Sequence, residues 1–218
     1  MTQTFKTWFV SLIMTTAAVW LCVLWLDRPI AHRINDVFGE WRIPAELIDS
    51  PFSSTSAISA CTFAVWGLFA IMGRRFSKVE TTIALCAVST LAANLIKDLL
   101  KFVFGRTWLD TWGIGIQSFL RNGVYGFHYF HSGRSFESFP SGHAAVAAAI
   151  LSVPWILFPK LRILCTICVI VVDAGLVALN LHFVSDVIAG SFVDYSTGLF
   201  TIAMWRASAS ELVGKITL

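Results

Sequence analysis

From Trp8 to Leu26 the chain runs 19 residues without a charged side chain. About 20 apolar residues suffice for a helix to cross a bilayer, so this stretch alone predicts a membrane protein. Five further apolar runs follow, the last two each holding one Asp: Ser54–Gly73, Thr81–Ile96, Ala144–Phe158, Ile163–Asn180 and Val187–Trp205. Together they predict an all-α polytopic fold, a bundle of six transmembrane helices forming one domain over residues 1–218. Composition agrees. Only 13% of residues are charged and 56% are hydrophobic, against about 25% charged in a soluble domain. Disorder and a soluble enzyme are both excluded on that ground. The net charge of +3, with no basic stripe, argues against a nucleic-acid partner. The first run reads as a retained signal anchor, since no small-residue cleavage site follows Leu26. All five cysteines lie in apolar runs, so no disulfide framework is expected; Cys165 and Cys168 read as packing residues.

The basic residues set an orientation. With the N-terminus inside, the inner segments 1–7, 74–80, 159–162 and 206–218 hold eight Lys and Arg in 31 positions. The other side spreads eight over a much longer length. Both termini are therefore expected in the cytoplasm. Two long segments, 27–53 and 97–143, are expected outside, and loops of that length are usually functional.

Three polar patches fall on the outer side: Lys97 to Arg106, Phe139 to His143, and Asn180 to Gly190. Pro140-Ser141-Gly142-His143 precedes an apolar helix, whose first turn presents free N–H groups and a partial positive charge. Ser141 can add a hydroxyl, Gly142 allows close approach, and His143 stands beside any bound anion. His182 and Asp186 are four apart and would share a helix face. A carboxylate beside an imidazole fixes its tautomer and leaves the other nitrogen as a nucleophile.

These three patches resemble the type 2 phosphatidic acid phosphatase superfamily, whose pattern is K-x6-RP, then PSGH, then SR-x5-H-x3-D. PSGH is intact at Pro140–His143, and His182, Asp186 and Val-Ile-Ala-Gly190 match the end of the third motif. The resemblance covers about residues 54–205. It implies that His182 attacks phosphorus, Asp186 orients it, and His143 serves as acid and then base. It further implies that Lys101, Arg106, Ser141 and Gly142 hold the phosphoryl oxygens, and that no metal or cofactor is needed. The implied activity is hydrolysis of a lipid phosphate or pyrophosphate at the extracytoplasmic face of a bacterial inner membrane. Candidate substrates are undecaprenyl pyrophosphate, phosphatidylglycerol phosphate, phosphatidic acid and lipid A phosphate. Transfer of the phosphoryl group to another acceptor, or lipid-phosphate binding without catalysis, are the alternatives.

The chain also departs from the pattern. Leu176 and Gly175 stand where the third motif has Arg and Ser, and Trp108 stands where the first has Arg. Arg134 is expected to supply the missing cation, ahead of Arg121. Lys97, one turn before Lys101 on a helix, reads as a solvated flank, with contact to phosphate the alternative. Asp173 and Asp194 are expected at one depth, about 12 Å below the outer face, sharing a proton between helices with no basic residue in a span to pair them. His128 and His131 read as aromatic packing rather than metal ligands, Trp108, Trp112 and Phe119 as interfacial anchors, and Asn94 as a helix–helix hydrogen bond.

Overall fold

A computed structural model describes residues 2–38, 54–110 and 115–216. Its named elements are all helices. They are α1 (Thr2–Leu21), α2 (Asp27–Phe38), α3 (Thr55–Ile71), α4 (Lys78–Phe104), the short α5 (Phe119–Asn122), α6 (Gly142–Leu157), α7 (Arg162–Ala178) and α8 (Val184–Ile216). Four helical stretches are long and apolar enough to cross a membrane: Thr4–Phe38, Lys78–Phe104, Pro159–Ala178 and Val184–Ser208. The helices α3 and α6 coincide with the remaining two expected spans but are shorter than these four stretches, at 17 and 16 residues.

Helix ends depart from the apolar runs in informative ways. The segment from Asp27 does not leave the first span as a loop. It continues through a π-helical turn, Cys22–Leu26, into α2. The rest of the expected outer segment, 39–53, lies outside the described residues, and so does Trp112. Likewise α4 runs two turns beyond Ile96, so Lys97 and Lys101 are helical. It starts at a capping box between Ser77 and Glu80 and stops at Gly105, whose φ of 52° is left-handed. A side chain at Gly105 would collide with the His128 carbonyl. That close approach lets His128 N–H donate to Gly105 O at 2.8 Å, tying the loop after α4 back onto its end.

The helix α6 is the hub and packs against α4, α7 and α8. Its buried positions are Ala144, Ala145, Val146, Ala148, Ala149, Ser152 and Val153. Small residues let helix backbones approach closely where lipid offers no hydrophobic drive to associate. Gly190 and Gly198 of α8 complete the fit: a Cβ on Gly190 would lie 2.7 Å from Ser141 O, and one on Gly198 would strike Ser152. Polar bonds add to the seams. Asn94 donates to Ser56 across α4 and α3 at 3.0 Å, as its position predicts. Ser191 of α8 donates to Asp173 of α7 at 2.7 Å. The five cysteines are free.

Candidate active site

The start of α6 and the start of α8 meet. Ser141 is the N-cap of α6, its Oγ accepting from Ala144 N at 3.3 Å, and its own N–H donates to Asp186 O at 3.0 Å. That backbone bond locks the Pro140–His143 turn to the first turn of α8. The imidazoles of His143 and His182 come together as a result, with ring centroids 6.0 Å apart.

His182 is not on a helix. It sits in the turn between α7 and α8, its N–H donating to Leu176 O at 3.3 Å, and α8 begins two residues later. The turn needs Asn180 at a φ of 54°, a region Asn tolerates better than most residues. His182 and Asp186 still meet, because Asp186 folds back over the helix start. Its Oδ2 accepts from Phe183 N at 3.2 Å and lies 3.5 Å from His182 Nδ1. Ser138 Oγ donates to the same oxygen at 2.6 Å. Both Asp186 and His182 are buried.

The sequence places Arg106 among the phosphoryl ligands; the structure gives it other work. Its side chain is fully buried. Nη1 donates to Asp186 Oδ1 and to Ser185 Oγ, both at 2.5 Å. Nη2 donates to Asp27 Oδ2 at 2.6 Å and to Tyr125 Oη at 3.1 Å. Asp27 in turn accepts from Ser185 through N–H, at 3.1 Å, and hydroxyl. Burial alone would pull the Arg106 pKa down. The carboxylates of Asp186 and Asp27 outweigh it and hold the guanidinium above its ordinary value. Sequence reasoning missed Asp27, which belongs to the first helical stretch, outside the three patches. A charged residue closing a long apolar run was the only signal, and it reads as a span end.

Trp108, expected as an interfacial anchor, lies beside His182. Its ring lies 5.4 Å from that of His182, and its Nε1 donates to Arg134 O at 2.5 Å. Lys101 places Nζ 5.8 Å from the same indole. Arg134 therefore meets the site through its backbone carbonyl, while its side chain is on an exposed 3-10 turn, Arg134–Phe136. Arg121 pairs with Asp110 at 2.7 Å. Leu176 is buried against Ala144 and Val187. Gly142 is approached by two lysines near the end of α4: a Cβ there would lie 3.8 Å from Lys97 Nζ and 3.9 Å from Lys101 Nζ. His128 and His131 pack on Phe136, at 4.8 and 5.3 Å between centroids. Asp173 and Asp194 do not share a proton directly. Asp173 is bonded to Ser191, and neither carboxylate oxygen of Asp194 has a hydrogen-bond partner among the described residues.

A helical membrane protein that gathers two imidazoles, a carboxylate and two ammonium groups around one helix start has the equipment of a phosphoryl-transfer site. The PAP2 superfamily model matches residues 82–209, and the chain belongs to that superfamily. Two proteins described as lipid A 1-phosphatase, from Rhizobium etli strain CFN 42 and Rhizobium johnstonii, are each 35% identical over 98 residues, 45% of this chain. Those matches span 39% and 37% of the relatives' own lengths. A transmembrane PAP2-type phosphatidylglycerolphosphate phosphatase from Bacillus subtilis aligns with 93% of this chain and 96% of its own, at 18% identity and a TM-score of 0.46.

Proposed function

We propose that this chain hydrolyses a lipid phosphate through a phosphohistidine, with its pocket at the extracytoplasmic face and both termini inside. The observation that carries the reading is the approach of His143 and His182 to 6.0 Å, beside Asp186 and the two lysines. Six helices crossing the bilayer, α3 and α6 included, complete the topology.

The chemistry follows from the geometry. Asp186 Oδ2, 3.5 Å from His182 Nδ1, favours the proton on that nitrogen and leaves Nε2 with its lone pair. Nε2 attacks phosphorus; the bond to the lipid oxygen breaks, and His143 delivers a proton to that oxygen. His143 then takes a proton from water as the water oxygen attacks phosphorus. The P–N bond breaks and inorganic phosphate leaves. Lys101 and the free N–H groups at the start of α6 stabilise the charge on the equatorial oxygens. Arg106 and Asp27 act from behind, holding Asp186 in place.

The two Rhizobium relatives favour a lipid A phosphate as substrate, ahead of the other lipid phosphates. Purified protein incubated with lipid A, phosphatidic acid, phosphatidylglycerol phosphate and undecaprenyl pyrophosphate tests this by phosphate release. We expect release from at least one, greatest with lipid A. Release from none would contradict the hydrolase reading. Phosphate moved to an added lipid or sugar acceptor instead of water would favour the transferase alternative.

A further inference from the structure

The pocket is short of guanidinium groups. Trp108 and Leu176 occupy the two motif positions for Arg, Arg106 is committed to Asp27 and Asp186, and the Arg134 side chain is exposed. A phosphoryl dianion still needs cations, because charge-assisted bonds carry most of its recognition.

Lys97 is where such a cation is wanted. Its Cδ comes within 3.3 Å of a Cβ position on Gly142, so its stem lies across the first turn of α6. Its side chain is only 17% exposed. Nζ sits beside that of Lys101, one turn further along α4 and on the same face. The two ammonium groups repel each other, and an anion bound between them at the helix start removes that repulsion. Asn94 Oδ1 accepts from Lys97 Nζ at 3.1 Å, and Asp98 lies 3.3 Å away.

We propose that Lys97 is a second phosphoryl-binding residue, taking the place of the guanidinium that Trp108 displaces. This rests on the phosphatase reading above. It makes the pocket a two-lysine cradle.

The test is titration of the purified full chain in detergent with inorganic phosphate, followed by calorimetry, alongside kcat/KM on the best lipid substrate. Lys97→Gln should weaken phosphate binding by about 10- to 100-fold, the usual value of one charge-assisted bond, and lower kcat/KM to match. Lys97→Arg should recover most of both. Should Lys97→Gln not fold, Lys97→Met carries the same phosphate comparison. Wild-type phosphate affinity in either variant overturns the Lys97 assignment. Phosphate binding that depends on Lys97 in a protein that dephosphorylates no lipid would contradict the hydrolase reading and leave the two-lysine cradle standing.

Discussion

Asp186 is held from three directions: by Arg106 on one oxygen, by Ser138 and the Phe183 N–H on the other. Each contact fixes the carboxylate that faces His182, so losing one should act on turnover as well as folding. Asp27→Ala leaves Arg106 with one buried carboxylate instead of two. Removing one member of a buried charge group typically costs about 3 kcal/mol, so we expect a lowered melting temperature together with a fall in kcat. Asp27→Asn, which keeps an acceptor for Ser185 and Arg106, should do less on both counts. An Asp27→Ala protein with unchanged kcat would remove Asp27 from the account. His143→Ala should lower kcat by about 10²–10⁴-fold, the usual range for one general acid–base group, with little effect on melting; phosphate release and thermal unfolding check both parts. At this scale the motif residues were legible, because His143, His182 and Asp186 sit in recognisable local patterns. The ties of Arg106 to Asp27 and Asp186 were not legible, because a sequence shows charge without burial. The Asp27 partnership spans 79 positions of chain, and no local pattern encodes it.

Helices are where the sequence was most readable and their ends least so. Apolar runs mark what lipid tolerates. Hydrogen bonding decides where a helix stops, which is why α4 continues past Ile96 to Gly105 and carries both lysines. The packing of α6 on α8 gives a prediction at this scale. A Cβ on Gly190 would press 2.7 Å from Ser141 O and 3.2 Å from Ala144 Cβ. Overpacking of this kind costs about 1–3 kcal/mol. Because Ser141 is bonded to Asp186, Gly190→Ala should lower kcat along with the melting temperature. Gly198→Ala meets Ser152 at the far end of the same contact and should lower the melting temperature while leaving kcat near wild type. Equal effects of both substitutions on kcat would mean that the seam does not position the site.

For the molecule as a whole, the distribution of Lys and Arg predicts that a C-terminal green fluorescent protein fusion is fluorescent, its barrel folding in the cytoplasm, whereas alkaline phosphatase fused after Tyr125 is active outside. The reverse pattern would turn the pocket toward the cytoplasm. The central claim is that phosphate passes through His182. Purified protein given a lipid substrate labelled with ³²P in its phosphate and quenched within milliseconds tests it most directly. The account predicts an acid-labile, alkali-stable label on His182 in the wild type and none in a folded His182→Ala protein. Label on another residue, or lipid dephosphorylation by His182→Ala at the wild-type rate, would contradict it.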